Sequence, residues 1–216
     1  MTPGATLARI RLNTASREVQ RDLRDATQLH RTLMRLVPDD LGATPRHDTG
    51  LLYRVEQNAR DTTILVQATC QLAPERLSNS YGQVDIKDLE PMLRAMRANL
   101  AVRYRIVLNP VKRERLPLDK KNQRGKVIPL SGAEADQWWA RRATEAGLHL
   151  RTLQATPLNS PMPRREAPRI RHSLIRYDGT ATVTDPKMLT LSLLAGIGRA
   201  KSYGAGLLSL APAHVS

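Results

Sequence analysis

The sequence predicts an α+β fold of two consecutive β-α-β-β-α-β domains, the ferredoxin-like (RRM-like) order, in residues 1–90 and 100–216. Two observations carry that prediction. Apolar residues alternate with polar ones, the period of a half-buried strand, on either side of helix-period stretches, and the order strand–helix–strand–strand occurs twice. A further helix and strand then close the second half. The halves share no sequence identity, so the repeat is one of pattern.

In the first half, Ala8, Ile10 and Leu12 alternate with Arg9 and Arg11 and predict a strand over residues 6–12. A helix follows from an Asp25 N-cap to about Leu36-Val37, where Pro38 stops it. Leu51-Tyr53-Val55 and Ile64-Val66-Ala68 alternate on either side of Asn58-Ala59-Arg60-Asp61, a hairpin signal. Residues 71–100 carry the weakest pattern: a strand near Val84 to Ile86, then a short helix or a basic loop over Met92 to Leu100.

The second half opens with Tyr104, Ile106 and Leu108 alternating with Arg103 and Arg105, up to Asn109-Pro110. Residues 112–126 form a basic loop. A helix is predicted from about Ala133 to Ala146, with Gly147 as its C′ stop. Strands are predicted near 148–153 and 170–177. Asp185-Pro186 is an N-cap and N1 pair for a helix to about Ala195, and a last strand covers 207–210.

A chain of 216 residues with 41% apolar content can bury a core. Aromatics make up only 3%, with no Phe, so that core rests on Leu, Val, Ile and Ala. The lone Cys70 excludes an internal disulfide and a Cys-rich zinc site. Met1-Thr2-Pro3-Gly4 carries no signal peptide, and no apolar run approaches the roughly 18 residues that span a bilayer. A cytoplasmic location without membrane attachment is expected.

Formal net charge is +14. Residues 1–93 balance 12 Lys/Arg with 12 Asp/Glu, whereas residues 94–176 hold 19 against 6. An excess so localised repels itself without a partner, and it points to a nucleic acid or another anionic surface. A merely solvated basic face is the plainer reading.

The motifs narrow the chemistry by elimination. No two of the five histidines sit at i, i+4 with a third ligand nearby, so no metal is expected. Neither a G-x-S-x-G elbow nor a phosphate-binding G-x-x-x-x-G-K-[ST] loop occurs, and no cofactor is expected. His30 lies on a predicted helix in line with Ala26, Leu33 and Val37, where it is either a core-edge histidine or a reactive one. The stretch Gly196-Ile197-Gly198-Arg199-Ala200-Lys201-Ser202-Tyr203-Gly204-Ala205-Gly206 concentrates four glycines. It lacks the third glycine and the downstream acid of a dinucleotide fingerprint. It is therefore a tight helix-to-strand connection, or a loop whose backbone meets an anionic one beside Arg199 and Lys201. Lys112, Arg113, Arg115, Lys120, Lys121, Arg124 and Lys126 form a basic run against Glu114 and Asp119, suited to the phosphates of a nucleic acid if not simply solvated. Of Trp138 and Trp139, one is expected in the core and the other partly exposed.

The ending G-I-G-R-A-K-S-Y-G-A-G-L-L-S-L-A-P resembles the glycine-rich loop of the repeat-associated mysterious proteins, the RNA-binding families of CRISPR systems. Within them it resembles the CRISPR-associated pre-crRNA endoribonucleases of type I-E, the CasE subunits of Cascade. Leu12-Asn13-Thr14-Ala15-Ser16-Arg17 and Gln28-Leu29-His30-Arg31-Thr32-Leu33 look like the segment that carries that family's catalytic histidine. The resemblance implies a tandem ferredoxin-like fold and a metal-independent cut in CRISPR repeat RNA. The ends would be a 2′,3′-cyclic phosphate and a 5′-hydroxyl, and the partners crRNA and the other Cascade subunits. It implies that His30 is the catalytic histidine, and that the glycines 196, 198, 204 and 206 and the basic run hold RNA. Two departures stand out. The family's tyrosine three residues before the histidine is Thr27 here, which lacks a phenol with a pKa of about 10. The family's lysine before the second domain's third strand is absent, and Arg169 or Arg171 is the stand-in. Both departures fit the alternative of a non-catalytic subunit that only holds guide RNA. A DNA-binding regulator would need a basic recognition helix, which neither of the two clearest helices provides.

Overall fold

The computed structural model describes residues 4–38, 50–115, 125–158 and 173–213. The first half runs β1 (Thr6–Leu12), α1 (Arg17–Arg24), α2 (Ala26–Met34), β2 (Leu52–Gln57), β3 (Thr62–Ala68), β4 (Gly82–Asp88) and α3 (Glu90–Arg94). Its sheet has the order β2-β3-β1-β4, with every neighbour antiparallel. The second half runs β5 (Ala101–Leu108), β6 (Val111–Arg113), β7 (Val127–Pro129), α4 (Gly132–Glu145), β8 (Leu148–Leu150), β9 (Gln154–Pro157), β10 (Ile175–Val183), α5 (Pro186–Ala195) and β11 (Ser209–Pro212). Its main sheet has the order β11-β5-β10-β8, and β9 pairs with β10 beyond β8. Counted within each half, the two sheets share the spatial order of a ferredoxin-like β-α-β-β-α-β unit.

Period-two alternation fixes which face is buried. Ala8 and Ile10 of β1, Tyr53 of β2 and Ile64 and Val66 of β3 join Val19, Leu29 and Leu33 of the helices in one core. Val102, Tyr104, Ile106 and Leu108 of β5 join Tyr177, Ala181 and Val183 of β10 and Trp138 and Trp139 of α4 in the other. Both tryptophans are buried, Trp138 at 8% and Trp139 at 0% exposure, so the expected half-exposed member of the pair does not occur. Trp138 covers the end of the core beneath Gly198, where an added Cβ would stand 3.1 Å from the indole.

Five elements differ from expectation. Helix α1 was not predicted: Val19 and Leu23 are its only apolar side chains, and Val19 alone is fully covered. Its other anchor is polar, since buried Asp22 accepts from Tyr81 Oη at 3.1 Å and from Arg21 Nη2 at 2.8 Å. Between β3 and β4 the second helix of the pattern shrinks to a 3-10 turn, Pro74–Arg76, and near Met92–Leu100, expected as a short helix or a basic loop, a helix forms earlier, at Glu90–Arg94. The basic loop opens and closes as a β6–β7 hairpin. Strand β10 runs on through Asp178-Gly179 to Val183, past the expected end near residue 177.

The halves are joined through the face of the first sheet turned away from its helices. Ala5, Leu89 and Leu93 pack with Leu193 and Leu194 of α5, and the Gln67 amide donates to Leu193 O at 2.8 Å.

Candidate active site

His30 is positioned by a capped helix. The Asp25 carboxylate accepts from Thr27 N at 2.8 Å and Gln28 N at 3.3 Å, satisfying two amides of the first turn of α2. Leu29 and Leu33 bury the inner side of that helix. Thr27 precedes His30 by three residues, so both lie on one face; Thr27 is exposed and His30 half-buried. The His30 ring stacks on Tyr53 of β2, with centroids 6.3 Å apart and planes at 25°. The Tyr53 hydroxyl donates to Ser202 O at 2.8 Å. Ser202 belongs to the 3-10 turn Lys201–Tyr203, inside the glycine-rich loop. Folding thus brings the histidine helix and the glycine loop together at one tyrosine, and α2 also touches the 3-10 turn directly.

The glycines of this loop meet the protein itself. At Gly196 the backbone is left-handed, φ 72°, and a Cβ would stand 2.6 Å from the Leu52 side chain. At Gly204, φ 82°, a Cβ would stand 3.3 Å from the Tyr53 ring. The close approach inferred from the sequence is therefore, at these two positions, an approach to β2. Gly206 also lies inside, donating its amide to Val107 O at 2.8 Å. Gly198 and Arg199 are the exposed part of the loop. Lys201 is turned inward: its ammonium donates to Ala195 O at 2.6 Å, at the carbonyl end of α5, and burial lowers its pKa.

A cleft of about 520 Å³ opens beside these groups. Leu23, Ala26 and Leu29 wall one side, Val107, Leu158 and Leu174 the other, and Tyr53, Tyr203 and Gly204 lie between. Its charged lining is organised around Arg54, 2% exposed. That guanidinium donates to Glu56 Oε1 at 2.6 Å, to the carbonyls of Leu207 at 3.0 Å and Arg105 at 3.2 Å, and to Ser209 Oγ at 2.9 Å. Burial lowers its pKa, and Glu56 opposes that shift. Arg105 donates to Asp178 at 2.5 Å, which raises its own pKa, and Arg176 reaches the other oxygen of Asp178 at 2.9 Å. The result is a cleft with apolar walls and paired cations.

The remaining expected site residues are scattered. Lys112 pairs with Glu134 at 2.7 Å, and Arg113 donates to Gly125 O at 2.9 Å. Arg115 and Lys126 are exposed. Lys120, Lys121, Arg124, Arg169 and Arg171 lie outside the described residues. Among the described residues no three His, Cys, Asp or Glu side chains are grouped to hold a metal. Tyr53, Arg54, Arg105 and Arg176 went unnoticed in the sequence. They read there as ordinary members of alternating strands, and only the scarcity of aromatics, five Tyr and two Trp, could have drawn attention to Tyr53.

The family whose model matches residues 7–212 is described as CRISPR associated protein. The chain belongs to that family. The match runs from β1 to β11 and so takes in both sheets, the histidine helix and the glycine loop. Over 221 residues the chain is 30% identical to the CRISPR-associated endoribonuclease Cse3 of Thermus thermophilus, covering 95% of this chain and 99% of that protein. The structure of Thermus thermophilus Cse3 bound to an RNA representing a pre-cleavage complex is similar at a TM-score of 0.79 and 30% identity, over 97% of this chain and all of that one. A chain of a CRISPR RNA-guided surveillance complex, pre-nicking, is similar at 0.68 and 35% identity, over 96% of this chain and all of that one. This CRISPR-associated chain therefore shares fold and extent with proteins solved both on RNA and inside a surveillance complex.

Proposed function

We propose that this protein is an endoribonuclease that binds the stem-loop of a CRISPR repeat in precursor RNA, cuts it once without a metal, and stays on the crRNA as a Cascade subunit. One observation carries the reading: the His30 imidazole and the glycine loop meet at Tyr53, which lines a cleft, in a chain similar to Cse3 over nearly its whole length. The domain of residues 1–90 supplies His30, and that of residues 100–216 supplies the basic run and the glycine loop. The cytoplasm, where transcripts are processed, is the location that fits this work. Among the described residues no helix is long and apolar enough to cross a membrane.

The reaction needs only the substrate's own hydroxyl as nucleophile. The 2′-oxygen loses its proton and attacks phosphorus, the P–O5′ bond breaks, and the departing 5′-oxygen takes up a proton. The products are a 2′,3′-cyclic phosphate and a 5′-hydroxyl. His30 carries one of these proton transfers, worth roughly 10²–10⁴-fold. An arginine, Arg169 or Arg171, stabilises the added negative charge; it stays protonated and so is no general base. The experiment is incubation with the organism's own repeat RNA in EDTA. A single cut supports the reading. Tight binding with no cut is the signature of the non-catalytic alternative, which Thr27 favours.

Thr27 gives a prediction of its own. Its exposed side chain leaves room for a phenol on the face that carries His30. Thr27→Tyr is expected to raise the single-turnover rate, and Thr27→Ala to leave it nearly unchanged. The alternative is a threonine hydroxyl that holds the ring or a water by one hydrogen bond. Thr27→Ala would then lose roughly 2- to 13-fold and Thr27→Tyr would gain nothing. Rates of the three proteins at saturating enzyme across pH 6–9 decide between the two.

Binding is expected to fall steeply with salt, the logarithm of affinity dropping by about 0.7–0.9 per phosphate contact for each tenfold rise in salt. Neutralising Lys120, Lys121 and Arg124 together should flatten that slope. A weak slope, with normal binding by the triple variant, would show the basic run to be only solvated.

A further inference from the structure

We propose that Tyr53 is a positioning residue that couples the glycine-rich loop to the His30 ring, so that RNA seated on the loop sets the geometry of proton transfer. The inference rests on His30 being the proton-transfer residue. Tyr53 is 1% exposed, and a hydroxyl so deeply covered needs a partner. It donates to Ser202 O at 2.8 Å, across the boundary between the two halves. On one side the ring faces His30 at 6.3 Å and 25°, within the range over which aromatic pairs interact. Against the same ring lies the Gly204 backbone, close enough that a single added carbon would stand at 3.3 Å.

The turn on the far end of this contact has a defined shape. Ala200 and Gly204, both left-handed at φ 64° and 82°, bracket the residues 201–203. Tyr203 N donates to Ala200 O at 2.9 Å, and the Lys201 ammonium ties the turn to the end of α5. The outward groups next to it, Arg199 and Tyr203, are exposed, with Tyr203 in the cleft lining. A phosphate or base resting there loads the turn. A shift of the turn moves the Ser202 carbonyl, the phenol that follows it, and the histidine ring stacked on that phenol. Reacting groups displaced by only about 1 Å lose on the order of 10²-fold in rate, so a contact of this kind has leverage on the chemistry.

The test uses the full-length protein, its repeat RNA, and single-turnover cleavage over a range of enzyme concentrations. Maximal rate and half-saturating concentration are read separately. Tyr53→Phe keeps the ring and removes the bond to Ser202. Its maximal rate should fall by roughly 2- to 13-fold with half-saturation unchanged. Tyr53→Leu also removes the stack and should fall further. Its effect is checked spectroscopically as well: the ring C–H resonances of His30 should move downfield in Tyr53→Leu as the ring current is lost, and stay in place in Tyr53→Phe. Wild-type maximal rate in Tyr53→Phe, or unmoved His30 resonances in Tyr53→Leu, overturns the coupling. His30→Ala is measured beside them. If it abolishes cleavage while Tyr53→Phe is unaffected, only the coupling is refuted. If His30→Ala itself cleaves at the wild-type rate, the reading of His30 falls and the coupling with it.

Discussion

His30→Ala is expected to slow cleavage of repeat RNA by at least about 10²-fold at saturating enzyme, the lower end of what general acid–base catalysis contributes. RNA affinity should stay within a few-fold, because the cations in residues 94–176, not one ring, dominate phosphate binding. The fold should survive: His30 is half-buried, and the packing of its helix rests on Leu29 and Leu33. Single-turnover cleavage and filter binding on the same preparations separate the two effects. An unchanged cleavage rate would remove His30 from the mechanism.

Arg54→Met is expected to destabilise the protein by ~1–3 kcal/mol, the usual cost of leaving a buried acceptor unpaired, since Arg54 is buried but its partner Glu56 is a third exposed. Four acceptors lose a donor together: Glu56, the carbonyls of Arg105 and Leu207, and Ser209 Oγ. Of these bonds only the one to the Leu207 carbonyl is fully buried, and Glu56 keeps a longer contact, 3.6 Å, to Arg105. Because these acceptors belong to β5 and the segment leading into β11, the loss also loosens the wall of the cleft beside Tyr53. Urea unfolding of Arg54→Met and of the double variant with Glu56→Gln measures it. The double variant should recover part of the loss, since it no longer strands a carboxylate. An Arg54→Met midpoint equal to wild type would mean that the network joins nothing of consequence.

What the sequence made legible was local. Alternation in residues 6–12, 51–68 and 104–108 located β1, β2, β3 and β5 to within three residues. Asp25 and Asp185 marked helix starts whose caps are formed as read. His30 and the glycine stretch stood out as residue types that serve chemistry or close approach. What stayed hidden depends on contacts between distant segments. Arg54 sits between Tyr53 and Val55 in a strand pattern that assigns it to solvent, yet that face is covered by the β11 segment and the carbonyl of Leu207. Helix α1 has too few apolar residues to show a helical period, and it is held by the Asp22–Tyr81 bond, made with a residue far along the chain. The glycine loop stayed open between a tight connection and an approach to a ligand because nothing local announces Leu52 and Tyr53 as its neighbours.

The central claim is attack by the substrate's own 2′-hydroxyl at one phosphate of the repeat. It is tested most directly with two repeat RNAs that differ by a single oxygen, a 2′-deoxy sugar just before the cut, each incubated with wild-type protein in EDTA. The account predicts one cut in the all-ribose RNA, with a 2′,3′-cyclic phosphate on the upstream product and a 5′-hydroxyl on the downstream one. It predicts that the deoxy RNA binds equally well and is not cut. Cleavage of the deoxy RNA at the same position, or products ending in a 5′-phosphate, would contradict it.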